Sequence, residues 1–166
     1  MKSVLLFRHG QAGWKNHVFG KDYDKPLTPI GIKDAEKMGA YLSKINNTPD
    51  LIISSTANRA KTTMELAYKA GAWESIINFE TKIYGGNPNF LLKLINKQNN
   101  KYDLVCLVGH EPNFSSFISL ATGEYKIFNT ASMAKIDFET NQWGEVNFKE
   151  GYLDWLINPT KLNYRR

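Results

Sequence analysis

Three short apolar runs, separated by long segments of helical periodicity, constrain the fold of this chain more than any other feature. The runs are Val4–Phe7, Leu51–Ser55 and Leu104–Val108. Each is long enough for a strand that is buried on both faces and too short for a buried helix. Strands of this kind occur in parallel sheets that are covered by helices on both sides. The runs therefore predict the core strands of an α/β protein.

Amphipathic helices are predicted between these strands. Thr28 is suited to the N-cap and Pro29 to the first turn of a helix that continues to about Ile45. Glycine and polar clusters predict where the later helices end. These helices are 56–70, closed by Gly71, a helix that begins at Asn87-Pro88 and ends before Asn96–Lys101, and one that follows Gly109–Pro112 and is closed by Gly123. A short strand is also predicted at Ile76–Phe79.

The pattern changes towards the C-terminus. Met133–Phe138 and Glu145–Phe148 alternate, or nearly so, between apolar and polar residues, and Thr140–Gly144 separates them. This arrangement predicts an antiparallel hairpin at a sheet edge. The final segment, 151–166, offers four apolar residues that we expect to dock on the rest of the chain. They are Tyr152, Leu153, Trp155 and Leu156.

The order of these elements predicts the fold class. Strand and helix alternate three times before the hairpin, which favours a three-layer α/β/α sandwich with a mostly parallel central sheet and an antiparallel edge hairpin. At 166 residues, 42% of them hydrophobic, the whole chain 1–166 is expected to form a single domain. Ligands of such folds bind beyond the carboxyl ends of the strands.

Polar side chains follow all three core strands. Taken alone, each is equally consistent with a hydrogen-bonded structural residue at a strand end. Right-handed crossovers, however, would bring the three strand ends to one crevice. The residues expected there are Arg8 and His9 after the first strand, Ser54, Ser55 and Arg59 after the second, and His110 after the third.

This set of residues suits a phosphoryl group. Two guanidiniums can hold the non-bridging oxygens, one imidazole can attack phosphorus in line, and the other can stabilise charge on the oxygens. Gly10 supplies a turn with no side chain to block a ligand. No metal or other cofactor is expected, because Asp22, Asp24 and Glu111 do not form a recognisable run of metal ligands.

Charge and composition indicate which classes of partner the protein binds. A net charge of +5 and a pI near 9.2 favour anionic partners, although the basic residues are scattered and no dense run precedes Arg165-Arg166. No signature of nucleic-acid binding is present. No apolar run approaches the roughly 18 residues of a membrane-spanning helix, and the N-terminus lacks a signal-peptide pattern. A cytoplasmic protein without membrane association is therefore expected. The single cysteine, Cys106, lies within an apolar run and cannot form a disulfide within the chain.

The ordered motifs resemble those of the histidine phosphatase superfamily, which has the phosphoglycerate mutase-like fold. They are Arg8-His9-Gly10 after the first strand, the segment 54–62 that contains Arg59, and Gly109-His110 after a late strand. The resemblance covers most of the chain. It implies that His9 is the nucleophile that becomes phosphohistidine, that Arg8 and Arg59 bind phosphate, and that His110 is the second histidine of the pocket.

Within that superfamily, the short chain is similar to the small phosphohistidine phosphatases of the SixA type. This branch lacks the insertions that carry substrate-specific residues and a general acid in mutases and phytases. Here the segment Thr81–Gly86 also lacks a carboxylate, and Glu80 is the nearest one. Esters benefit strongly from a general acid, whereas the P–N bond of a phosphoramidate breaks more easily. The resemblance therefore favours phosphohistidine on a protein as the substrate and inorganic phosphate as the product.

Several alternatives remain open at this point. Lys25, where the small branch often has arginine, and Ser55 are candidate phosphate contacts, but Ser55 is equally suited to the turn before the helix of Arg59. Glu111 is equally suited to capping the following helix. A small phosphorylated metabolite is the alternative substrate, and a phosphate-binding module without turnover is the alternative to an enzyme. Intact Arg8, His9, Arg59 and His110 argue against that last possibility.

Overall fold

The computed structural model describes residues 1–162 as a six-stranded sheet flanked by helices; Arg165 and Arg166 lie outside the described residues. The strands are β1 (Lys2–Arg8), β2 (Leu51–Ser54), β3 (Ile76–Phe79), β4 (Leu104–Gly109), β5 (Met133–Phe138) and β6 (Gly151–Ile157). The helices are α1 (Pro29–Lys44), α2 (Asn58–Ala70), α3 (Pro88–Asn96), α4 (Asn113–Thr122) and the short α5 (Pro159–Leu162). Three 3₁₀ turns cover Asp22–Asp24, Thr81–Ile83 and Trp143–Glu145.

The sheet has the strand order β3-β2-β4-β1-β5-β6. The first four strands are parallel, β5 is antiparallel to β1, and β6 is antiparallel to β5. This confirms the mostly parallel sheet with an antiparallel edge. The carboxyl ends of β1, β2 and β4 lie side by side, since these strands are consecutive neighbours in the sheet.

Helices cover both faces of the sheet, which confirms the three-layer sandwich. Alternate residues of β1 point to opposite sides. Leu5 and Phe7 belong to a buried cluster with residues of α1 and α2, whereas Val4 and Leu6 belong to a second cluster with residues of α3 and α4. All four side chains are fully buried. Helices cover both faces of these strands, which explains why the runs that predicted them are continuously apolar.

Capping residues begin and end the helices as the sequence predicts. The Thr28 hydroxyl accepts a hydrogen bond from the Gly31 N–H, with Pro29 in the first turn of α1. The Asn87 side chain accepts from the Phe90 N–H at the start of α3. Gly123 ends α4 with φ of +77°, a conformation that glycine adopts without strain.

The predicted partner of β5 was wrong. Glu145–Phe148 does not form a strand, and β5 pairs instead with β6. The segment between them packs as a turn because Trp143 is fully buried, and because the Asn96 side chain donates to the carbonyls of both Trp143 and Val146. The four apolar residues that were expected to dock as a tail lie in the edge strand β6.

Two backbone segments approach closely beneath the first strand end. A Cβ atom on Gly31 would lie 2.1 Å from the Gln11 carbonyl oxygen, and one on Gly10 would lie 2.8 Å from the Gly31 oxygen. The Thr28 N–H also donates to the Gln11 carbonyl at 2.9 Å. The start of α1 therefore holds the loop that follows β1 by direct contact between main chains.

Cys106 is fully buried in β4, and this burial raises the pKa of its thiol, as expected for a core residue. Within the described part of the chain, no helix is both long and apolar enough to cross a membrane. The single-domain organisation and the cytoplasmic location stay predictions.

Candidate active site

The backbone of His9 is fixed between two strands of the sheet. His9 directly follows β1, and its N–H donates to the Gly109 carbonyl at 3.1 Å. Its own carbonyl accepts from the Ala131 N–H at 2.9 Å. These bonds hold the residue at the carboxyl edge of the sheet, between β4 and the segment that leads into β5.

The His9 ring is held in one tautomer. Its Nδ1 lies 2.7 Å from the Gly10 carbonyl oxygen, which only accepts hydrogen bonds, so Nδ1 carries the proton. Nε2 is then unprotonated, and its lone pair accepts a long hydrogen bond from the Arg59 Nε–H at 3.4 Å. The imidazole therefore presents an unprotonated nitrogen beside a cation, which is a geometry that permits nucleophilic attack.

Helix α2 connects Arg59 to the turn after His9. The Gly10 N–H donates to the Thr63 hydroxyl at 3.0 Å, and that hydroxyl donates to the Arg59 carbonyl at 2.7 Å. Thr63 is fully buried. Sequence reasoning missed this residue, although its position four residues after Arg59 places it on the same face of α2.

Arg59 is oriented by a carboxylate that the sequence did not indicate. Its Nη2 donates to Asp22 Oδ2 at 3.0 Å, and its Nη1 donates to the Asp22 backbone carbonyl at 2.7 Å. The Tyr84 hydroxyl donates to the same Oδ2 at 2.7 Å, and Lys25 Nζ lies 3.3 Å from Oδ1. The hydrogen bond from Tyr84 and the contacts with Arg59 and Lys25 lower the pKa of Asp22 to about 2. Asp22 is thus an ionised anchor for Arg59.

Arg8 extends from the end of β1 with unused hydrogen-bonding capacity. Its Nη1 donates to the Phe128 carbonyl at 2.9 Å, while its buried Nε has no partner among residues 1–162. Burial lowers the pKa of this guanidinium. A buried, unpaired N–H next to a second guanidinium favours an anion as the missing partner.

The second histidine lies against the first. The His9 and His110 ring centroids are 5.3 Å apart, and His110 Nε2 lies 2.9 Å from the Ser55 hydroxyl oxygen. That oxygen also accepts a hydrogen bond from the Ala57 N–H, and its own proton can be donated to Nε2. Nδ1 of His110, which is buried, has no partner in the described chain. Ser55 therefore contacts His110 and also belongs to the turn before α2.

A cavity of about 320 Å³ brings most of the predicted residues together. Arg8, His9, Lys25, Arg59 and His110 all line it, whereas Gly10 and Ser55 are not among its lining residues. The other residues of the lining are Gln11, Ala12, Glu111 and Thr130. The three strand ends thus meet in one basic pocket.

The nearby carboxylates are engaged elsewhere. Glu111 lines the cavity, but its Oε1 accepts from the Ser115 N–H at 2.7 Å, within the first turn of α4. Glu80 accepts from the Lys82 N–H in the turn after β3. Across residues 1–162, no group of three or more histidine, cysteine, aspartate or glutamate side chains is placed to hold a metal ion.

Both histidines of the cavity are neutral near pH 7. Burial, with further contributions from Arg59 and Arg8, lowers the pKa of His9 to about 4, and the Gly10 carbonyl offsets part of this effect. Burial and the neighbouring His9 lower the pKa of His110 to about 3. A neutral His9 has the lone pair that nucleophilic attack requires.

These lowered pKa values predict a loss of stability in mild acid. Below pH 6.5 the unfolded chain binds protons at both histidines, whereas the folded chain does not until about pH 4. We expect the free energy of unfolding to fall by on the order of 2–4 kcal/mol between pH 6.5 and pH 5. Urea unfolding at the two pH values measures this. A His9→Gln/His110→Gln variant should show a smaller pH dependence, and an equal dependence in both proteins would contradict the assignment.

Comparison with protein families matches part of this chain. The model of the histidine phosphatase superfamily (branch 1) covers residues 4–79, which include Arg8, His9 and Arg59. An uncharacterized chloroplastic protein of Arabidopsis thaliana is 26% identical over 165 residues, spanning 94% of this chain and 75% of that protein. A match to an uncharacterized Mycobacterium tuberculosis protein spans 65% of that protein, less than two thirds of its length.

Solved structures match nearly the whole chain. A protein assigned as the phosphohistidine phosphatase SixA from Agrobacterium tumefaciens has a TM-score of 0.81 and 26% identity, covering 95% of this chain and 98% of that one. The protein histidine phosphatase SixA complexed with tungstate has a TM-score of 0.77 and 22% identity, covering 96% and 99%. At that identity, the second match supports the fold alone.

Proposed function

Because this chain belongs to the histidine phosphatase superfamily and has its phosphoglycerate mutase-like fold, we propose that it is a phosphatase that works through a phosphohistidine at His9. The observation that carries the proposal is the unprotonated Nε2 of His9, which lies 3.4 Å from Arg59 Nε in a cavity also lined by Arg8 and His110. A nucleophile and a set of cations around it are the requirements for phosphoryl transfer.

The first step transfers the phosphoryl group to the enzyme. The Nε2 lone pair of His9 attacks phosphorus, the bond from phosphorus to the leaving group breaks, and the leaving group departs with that electron pair. The imidazole becomes positively charged, and the Gly10 carbonyl stabilises this charge through the hydrogen bond from Nδ1–H. The guanidiniums of Arg8 and Arg59 bind the non-bridging oxygens, so the residues themselves supply the positive charge and no metal or other cofactor is required.

The second step regenerates His9. Water attacks phosphorus, and the P–Nε2 bond breaks with its electron pair returning to Nε2 of His9. One hydrogen of the water stays on the inorganic phosphate that leaves, and the other is released to solvent as a proton. We assign Ser55 the role of holding His110, because a proton donated from Ser55 Oγ to Nε2 leaves the His110 proton on Nδ1. This unpaired N–H can then donate to an oxygen of the bound phosphoryl group. Lys25 contributes charge from the cavity wall.

We further propose that the substrate is phosphohistidine on a protein. The carboxylate among the lining residues, Glu111, accepts a backbone hydrogen bond of α4 and is not a free acid for an ester leaving group. An imidazole leaving group depends less on such an acid than an alcohol does. The similarity to a protein assigned as the phosphohistidine phosphatase SixA supports the same substrate class.

The leaving group distinguishes this proposal from its alternative. We expect kcat/KM for free phosphohistidine to exceed that for phenyl phosphate by on the order of 100-fold, because the missing general acid penalises the ester. Phosphate release with EDTA present throughout measures both substrates. An enzyme that prefers the ester would be a phosphatase of small metabolites, and a protein that binds phosphate without turning over either substrate would be a binding module.

A further inference from the structure

The most exposed large apolar side chains of residues 1–162 lie in two loops beside the catalytic cavity. Tyr125 is 86% exposed, Phe19 is 79% exposed and Ile127 is 78% exposed. Val18, next to Phe19, is also exposed. Apolar side chains that cluster on a surface mark sites where another molecule binds, whereas single exposed residues need no such explanation.

The first loop joins the cavity through a short β-bridge. Ala12 pairs with Leu27, and the Gly13 N–H donates to the Pro26 carbonyl at 2.9 Å. Ala12 and its neighbouring segment at Lys25 line the catalytic cavity. A separate groove of about 370 Å³ begins with the next residues along both segments. It is lined by Gly13, Trp14, Lys15, Val18, Pro26 and Leu27.

The second loop joins the cavity from the β5 side. Phe128 is buried, and its carbonyl accepts the hydrogen bond from Arg8 Nη1. Thr130, two residues later, lines the cavity. Tyr125 and Ile127 therefore project from a segment that is anchored at the phosphate-binding arginine.

Resting on the function proposed above, we propose that these side chains form a docking surface for the protein substrate. The surface consists of Val18 and Phe19 with the adjoining groove, and of Tyr125 and Ile127. Its occupant is a protein segment whose phosphohistidine enters the cavity and whose neighbouring side chains are apolar. A small metabolite would fill the cavity and leave both loops in water.

The positive charge of the protein also favours a phosphorylated protein segment as the occupant of this surface. Lys15 lines the groove and Lys25 lines the cavity next to it. With a net charge of +5, the protein attracts a segment that carries a phosphoryl dianion. Apolar contact on the two loops then selects among the phosphorylated segments that arrive.

Two phosphohistidine peptides that differ only in the residues beside the phosphohistidine test this surface. One has leucines on both sides and the other has serines; free phosphohistidine provides the same P–N bond without a peptide. We expect the wild type to prefer the leucine peptide by roughly 10-fold in kcat/KM, since a few apolar contacts dominate most interfaces. A Phe19→Ser/Ile127→Ser variant should lose this preference and keep its activity on free phosphohistidine.

Ile76→Ser is the matched control, because Ile76 is 51% exposed and is the first residue of β3. It therefore lies at the amino end of its strand, whereas the cavity lies at the carboxyl ends. This variant should keep the leucine preference. Equal rates with both peptides in the wild type, or an unchanged preference in the double variant, would overturn the docking surface and leave the proposed function intact. A change in oligomeric state without a change in preference would overturn it as well, since the loops would then contact a second copy. A wild-type preference for phenyl phosphate over all three phosphohistidine substrates would overturn both the docking surface and the proposed phosphohistidine substrate.

Discussion

Replacing His9 with alanine is expected to reduce turnover by a factor on the order of 10⁴ or more, because the reaction then has no nucleophile. The wild type should become labelled by a ³²P-phosphohistidine substrate, with label that is lost in acid and stable in base. His9→Ala should acquire no label. Trapping the enzyme within the first turnover and measuring the bound radioactivity tests this directly.

Two further variants sharpen the His9 experiment. His17 lies in an exposed loop with φ of +59°, which asparagine tolerates, so His17→Asn should keep full labelling of the enzyme. His9→Ala also opens space beside Arg59, and added imidazole is expected to restore part of the hydrolysis by taking the place of the ring. Label on His9→Ala that remains base-stable would show that another residue is the nucleophile.

Arg59→Lys is expected to lower kcat/KM by on the order of 100- to 1,000-fold, although the charge is kept. The reason is geometric: Arg59 directs Nε at His9 while both its Nη atoms are held by Asp22. Lysine offers one ammonium group and cannot make these contacts together. The affinity for inorganic phosphate, the expected product, should fall together with the activity, and calorimetry measures it.

Asp22→Asn serves as the comparison for Arg59→Lys. It removes the carboxylate charge but keeps the backbone carbonyl that accepts from Arg59 Nη1. Its effect should therefore be smaller than that of Arg59→Lys. Unchanged affinity for inorganic phosphate in Arg59→Lys would contradict a role for this guanidinium in binding the phosphoryl group.

The sequence predicted those site residues whose side chains suit a phosphoryl group and which also follow a recognisable strand. Arg8, His9 and His110 follow apolar runs that are recognisable without any partner, and Arg59 lies in the first turn of the next helix. Parallel strands then bring their carboxyl ends together by topology alone. All four of these side chains line one cavity.

The residues that orient the site were not predictable in the same way. Asp22 lies in one 3₁₀ turn and Tyr84 follows another, and neither short segment has a periodicity that fixes the direction of a side chain. Their meeting at Arg59 depends on how two loops fold over the sheet edge. Contacts of this kind are set by tertiary packing rather than by local pattern.

The wrong strand partner has a comparable cause. Glu145–Phe148 alternates in polarity, but Val146 is buried as part of an irregular segment that is bonded to α3. The true partner, Gly151–Ile157, has mostly half-buried side chains, because β6 is the edge strand of the sheet. Alternation over four residues is too short to distinguish a strand from a turn with two buried side chains.

Because Gly31 lies in close contact with the Gln11 carbonyl, the backbone beneath His9 tolerates few substitutions. The exposed loops tolerate many more. Beneath His9, main chain lies on main chain, and a single added methyl group at Gly31 would collide with the backbone. The two loops that continue from the lining of the cavity carry exposed side chains. A new choice of substrate could therefore be engineered by exchanging those loops, while the residues proposed for phosphoryl transfer are left untouched.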